Sequence, residues 1–143
     1  MRYLSLDYGE KNIGVAYSDK LEISTRPLPP INNKDLGHAI KEIARLINTH
    51  NIEAIVVGLP LGENNEETQT SIKARFFANR IKDFTQIPLE FWNESYSTKR
   101  AIESMISGGV SKKTRERMVD SYAAMIILKE FLENKEIKNE KIN

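Results

Sequence analysis

Three of the 20 acidic residues in this 143-residue chain stand where an ionised group is costly. Asp7 ends an apolar segment, Glu94 follows Leu89-Glu90-Phe91-Trp92, and Asp120 opens the long apolar run of the last predicted helix. Carboxylates brought together without partners repel and are pushed toward protonation, so a charged cluster implies a cation. The chain has no cysteine and only two histidines, His38 and His50, both in one predicted helix. Thiol nucleophiles, disulfides, Cys-based zinc sites and a His-centred triad are thereby set aside. Hard oxygen donors alone point to Mg²⁺ or Mn²⁺, with Asp7, Glu94 and Asp120 as candidate metal ligands and catalytic residues. Metals held this way commonly activate a water and stabilise the leaving oxygen at a phosphodiester. Each residue also has a plainer use: Asp7 as a turn former bonded to the Gly9 N–H, Glu94 as an exposed strand end or helix cap, and Asp120 as a partner of Arg117 or a nearby lysine.

A basic stretch, Ser111-Lys112-Lys113-Thr114-Arg115-Glu116-Arg117, precedes Asp120 by about one turn. Cations are poorly placed at a helix N-terminus, whose dipole is positive, so Lys112, Lys113 and Arg115 are candidate contacts to a phosphate backbone rather than a favourable first turn. Lys99 and Arg100, close after Glu94, would extend that surface.

The elements that must position these groups follow from periodicity. Residues 2–7 alternate, placing Leu4 and Leu6 opposite Asp7; a turn at residues 8–11 returns the chain into a strand over Asn12–Ser18, one face of which carries only Gly14, Ala16 and Ser18. Such a bald face admits a helix or a ligand close to the backbone. A third strand is predicted over 22–26, stopped by Pro27 and the Pro29-Pro30 pair. Helical spacing runs over 34–49, with Asn32 or Asn33 as cap. Residues 54–59 are apolar on both faces, as in a central parallel strand. A helix over 68–84, a short strand over 88–92 and helices over 98–107 and 113–133 complete an α/β domain with a mixed sheet. In an open α/β sheet, side chains following the first, fourth and fifth strands converge at one edge, where a crossing helix could add Asp120.

Length fits one domain, residues 1–133, followed by a polar tail over 134–143 that is expected to fray. The chain is 40% hydrophobic and 29% charged, with a net charge of +1. No apolar run is long enough for a membrane span and no signal-peptide pattern opens the chain, so a cytoplasmic protein is expected. G-x-x-x-x-G-K-[ST], G-x-G-x-x-G and H-E-x-x-H are absent.

Four segments, LSLDYGEKNIGVAYSD, IEAIVVGLPLG, NESYSTKRA and VDSYAAMIIL, resemble in order and spacing the four blocks of the YqgF/RuvX family, over almost the whole chain. The resemblance implies an RNase H-like fold, here a mixed five-stranded sheet with helices on both faces. It also implies a small nuclease that processes the 5′ end of 16S ribosomal RNA precursors, with junction resolution on DNA as the older proposal. Asp7, Glu94 and Asp120 match the family's acidic motif positions. Two departures stand out. The third block usually reads Asp-Glu-Arg and here is Asn93-Glu94-Ser95, and the usual acidic-Gly pair after Leu61 is replaced by Gly62-Glu63-Asn64-Asn65.

The sequence therefore predicts a metal-dependent nuclease acting on structured nucleic acid, precursor rRNA before branched DNA, as a monomer or weak homodimer. The alternatives are a Holliday-junction resolvase, a catalytically silent RNA- or ribosome-binding module, and an actin- or sugar-kinase-like nucleotide-binding domain. The last is prompted by the similarity of D-x-G-x-x-x-x-G-V-A, residues 7–16, to a phosphate loop.

Overall fold

The computed structural model describes residues 1–94 and 97–142. Its order is β1 (Tyr3–Asp7), β2 (Asn12–Ser18), β3 (Thr25–Asn32), α1 (Leu36–Thr49), β4 (Ala54–Leu59), α2 (Gln69–Phe84), β5 (Leu89–Asn93), α3 (Ser97–Ser107) and α4 (Lys112–Ile142). The five strands form one mixed sheet in the order β3-β2-β1-β4-β5. β1 pairs antiparallel with β2 and parallel with β4, and β4 pairs parallel with β5. The architecture is the RNase H-like arrangement expected, with a layer of helix on each face.

Strand alternation sorts the two cores. Leu4 and Leu6 of β1, Ile13 and Val15 of β2 and Ile55 and Val57 of β4 face Ala39 and Ile43 of α1 and Phe77 and Ile81 of α2. On the other face Tyr3, Ala54 and Val56 meet Ile127, Leu128, Phe131 and Leu132 of α4. Phe131 sets its ring edge-on to Tyr3 at 5.4 Å and to Trp92 at 6.2 Å, the geometry that aromatic quadrupoles favour. β4, buried at every position, is covered on both sides, which is why its sequence shows no alternation.

Three expectations need correction. The prolines do not stop the third strand: β3 runs through Pro27, Pro29 and Pro30 and pairs with β2, Ala16 opposite Pro27 and Val15 opposite Leu28. β3 is the sheet's edge, so it has a neighbour on one side only, and a missing N–H can point away from the ladder. Helix α1 is capped by Asp35, whose Oδ1 accepts the His38 N–H at 2.7 Å, rather than by Asn32 or Asn33. Asn33 instead donates its side-chain N–H to the Gly9 carbonyl at 2.9 Å, tying the turn after Asp7 to the far end of β3. Finally, α4 continues to Ile142, past the expected end at residue 133.

Candidate active site

Asp7 closes β1 and pairs with Gly14 in the antiparallel ladder to β2, so its backbone is fixed on that side. Its side chain leaves the sheet on the α4 face, because Leu4 and Leu6 take the other. Glu94 follows β5 directly, and its N–H donates to the Leu59 carbonyl at 2.9 Å, which continues the β4–β5 ladder by one residue and fixes where the side chain starts. β1, β4 and β5 are parallel, so Asp7 and Glu94 emerge at the same edge of the sheet.

There the two carboxylates come within hydrogen-bonding reach. Asp7 is buried, and its carboxyl is held well above the usual range, first by burial, then by the charge of Glu94 and a hydrogen bond with it, and last by the charge of Asp120. Asp120 is half-buried on α4, and burial raises its carboxyl too. Among the described residues Asp7 makes no hydrogen bond to the Gly9 amide and Asp120 belongs to none of the ion pairs, so the plainer uses of these two find no support.

Two glycines make this convergence possible. A Cβ at Gly14 would lie 1.9 Å from the Asp120 carbonyl oxygen, so α4 crosses β2 with its backbone against the bald face that the sequence shows. A Cβ at Gly58 would lie 2.6 Å from Glu94 Oε2 and 2.6 Å from Ile127 Cδ1. Two serines lock the crossing. Ser121 Oγ accepts the Val15 N–H at 3.1 Å, beside the register shift between Ile13 and Val15, and Ser5 Oγ donates to the Ala124 carbonyl at 2.7 Å. Both serines are fully buried and neither was foreseen from the sequence; their signal is a small hydroxyl on an otherwise apolar face.

The donor set suits a hard divalent ion. A carboxyl pushed toward protonation by a neighbouring carboxylate is relieved by a cation, and Mg²⁺ characteristically takes one or two carboxylates and completes its shell with water and phosphate oxygens. Among the described residues no group of three or more His, Asp or Glu side chains forms a self-sufficient metal cage. Asp7 and Glu94 meet through a hydrogen bond, and Asp120 lies close enough for its charge to act on Asp7.

The predicted cationic surface divides. Lys99, Lys112 and Lys113 are exposed and form none of the described ion pairs. Arg100 is tied by Nη2 to Glu130 Oε1 at 2.6 Å, and Glu130 also accepts the Trp92 indole N–H at 3.4 Å, so this arginine fastens α3 to α4. Arg115 donates from Nη1 to the Val110 carbonyl at 2.9 Å and closes the loop before α4. Asn93 donates to Asn65 Oδ1 at 2.7 Å, joining the end of β5 to the loop after β4. Ser95, at the position where the family usually has arginine, lies outside the described residues.

The sequence model of the RuvX family, described as a Holliday junction resolvase, matches residues 1–134. The chain belongs to the RuvX family. Among its relatives, "Putative pre-16S rRNA nuclease" of Syntrophus aciditrophicus is 38% identical over 142 residues, covering 99% of this chain and 93% of the relative. The protein of the same name from Carboxydothermus hydrogenoformans is 35% identical over 135 residues, covering 94% and 98%. Among solved structures, RuvC of T. thermophilus in complex with a Holliday junction substrate superposes with a TM-score of 0.60 at 14% identity, covering 94% of this chain and 95% of that one. The fowlpox virus resolvase bound to Holliday junction DNA gives 0.60 at 14% identity, covering 94% and 98%. These two likenesses concern the fold. As a RuvX-family chain the protein is a nuclease, a hydrolase of phosphodiester bonds.

Proposed function

We propose that this nuclease cuts structured RNA, processing the 5′ end of 16S rRNA precursors in the cytoplasm. The observation that carries the reading is the buried Asp7 carboxyl held beside Glu94 at the open end of three parallel strands. Asp7 and Glu94 would hold Mg²⁺ or Mn²⁺, with Asp120 contributing a third carboxylate from α4. A divalent ion bound there supplies water activation and charge neutralisation at the cleaved phosphate. The chain itself supplies position. The β1 and β4 ladders fix the two carboxylates, the α4 crossing at Gly14 fixes Asp120, and Lys99, Lys112 and Lys113 place cations for phosphates on either side of the cut.

The names of the curated relatives favour precursor rRNA. The family description favours a second reading, junction resolution on DNA. A resolvase must make two related cuts, which calls for a symmetric dimer, whereas leader processing does not. Incubation of the protein with precursor 16S leader RNA and a synthetic four-way DNA junction, with and without Mn²⁺, separates them: metal-dependent leader products with intact junction support RNA processing, and paired junction cuts by a dimer support resolution.

A further inference from the structure

The strands' opposite end carries a second concentration of positive charge. A cavity of about 450 Å³ is lined by Arg2, Lys20 and Arg26, with Tyr17, His50 and one carboxylate, Asp19, among the remaining residues. Arg2 precedes β1, Tyr17 and Arg26 are ladder partners on β2 and β3, and His50 ends α1. Arg2 is five residues from Asp7, about 17 Å along a strand, so the cavity is remote from the carboxylates.

Neither guanidinium nor the Lys20 ammonium has a side-chain hydrogen bond or ion pair among the described residues; Arg2 engages Glu53 through its backbone alone, its N–H donating to Glu53 Oε1 at 3.0 Å and its carbonyl accepting the Glu53 N–H at 2.8 Å. A structural use would be to neutralise the C-terminal carbonyls of α1, which favour cations. Those carbonyls are already served by backbone: Leu46 O takes the His50 N–H at 3.0 Å, Ile47 O the Ile52 N–H at 3.0 Å and Asn48 O the Asn51 N–H at 3.5 Å. Asp19 is spoken for as well, its Oδ1 accepting the N–H groups of Ile23 at 2.8 Å and Ser24 at 3.2 Å. The loop bearing Lys20 is further pinned where the Met1 ammonium donates to the Lys20 carbonyl at 2.8 Å. Three cations on a preformed frame, with their donors unspent and a Tyr17–His50 ring pair at 4.4 Å beside them, make a receptor for phosphate groups.

We propose that this cavity, formed by Arg2, Lys20 and Arg26, is a second polynucleotide-binding site that grips the phosphate backbone of the RNA at a distance from the cut. The inference rests on the reading of the substrate as RNA. A substrate that reaches both ends of the sheet must be long or folded, so the site selects structured RNA over short fragments.

The test uses the full chain, the Arg2→Ala/Arg26→Ala double variant and the Arg26→Glu single variant, the last changing only an exposed edge-strand side chain. Binding of precursor 16S leader RNA is measured across salt concentrations, and cleavage of a short diester, bis(p-nitrophenyl) phosphate, is measured in parallel with Mn²⁺. The expected result is leader binding weakened about tenfold in both variants. The log–log salt slope falls by about 1–2, the loss of one or two phosphate contacts, and short-diester cleavage is unchanged. An unchanged affinity and slope in Arg26→Glu overturns the proposal. So does saturable binding of inorganic phosphate to the cavity, read on the Tyr17 and His50 ring resonances, together with unchanged leader binding, since the cavity would then serve a free anion. Failure of the wild-type chain to cleave the leader counts against the RNA-processing function itself. Cleavage by the wild type with an unaltered slope in the variants removes only the second site.

Discussion

Gly14 and Asp120 meet backbone to backbone: a Cβ on the glycine would stand 1.9 Å from the Asp120 carbonyl oxygen. No side-chain rotation relieves such a contact, so Gly14→Ala must push α4 away from β2 or bend the strand. The expected cost is about 3 kcal/mol, the upper part of the usual range for overpacking, read as a lower midpoint in urea unfolding. The variant should also lose cleavage beyond its loss of stability, because the same shift carries Asp120 away from Asp7.

Gly58 differs in what it faces. Its hypothetical Cβ meets the ends of two side chains, Glu94 Oε2 and Ile127 Cδ1, each at 2.6 Å. Both can swing aside, so Gly58→Ala is expected to cost only about 1 kcal/mol while turning Glu94 out of position. Cleavage should fall at least tenfold with little change in the unfolding midpoint, and a Mn²⁺ titration should show weaker activation.

Asp7 gives the protein a pH dependence whose sign is fixed. Burial, then Glu94, then Asp120 raise its carboxyl above the ordinary 3.8, so the folded chain keeps a proton that the unfolded chain has released. Stability is therefore greatest below the unfolded value and falls as pH rises through the folded one. Asp7→Asn removes the cost: without divalent ions it should melt about 2–4 °C higher than wild type at neutral pH, the change that roughly 1 kcal/mol produces in a chain of this size, and match it near pH 3.5. Added Mg²⁺ should raise the melting temperature of the wild type and leave Asp7→Asn where it was. Scanning calorimetry across pH reads all three outcomes.

Asn93 holds the loop after β4 through its bond to Asn65, where the family usually has an aspartate beside the glutamate. Asn93→Asp exchanges that amide donor for a carboxylate next to Glu94. The expected outcome is tighter Mn²⁺ binding, by a few-fold in isothermal titration, with a stability loss of about 1 kcal/mol in metal-free buffer from the lost hydrogen bond.

Much of this site was legible in the sequence because its parts obey local rules. Alternation in β1 placed Asp7 opposite Leu4 and Leu6, the unbroken apolar run of β4 announced a strand covered on both faces, and the bald stretch Gly14, Ala16 and Ser18 announced a close approach. The prolines of β3 misled because their cost depends on whether the strand has one neighbour or two, which is a property of the finished sheet. The α1 cap was misplaced for a similar reason, since Asn33 was needed to hold the Asp7 turn and left the capping to Asp35. The commitments of Arg100 to Glu130 and of Arg115 to Val110 were hidden because both bonds depend on how α3 and α4 meet. The cationic cavity at the far end joins Arg2, just before β1, to residues of β2, β3 and the end of α1, and no spacing in the sequence brings them together.

The Asp7–Glu94 pair stands at the centre of the proposed metal-dependent cleavage of precursor RNA. The most direct measurement compares wild type and Asp7→Asn on precursor 16S leader RNA in Mn²⁺, with circular dichroism showing both folded. Defined 5′-end products from the wild type and a loss of at least about a hundredfold in Asp7→Asn are predicted; equal cleavage by the two proteins would contradict it.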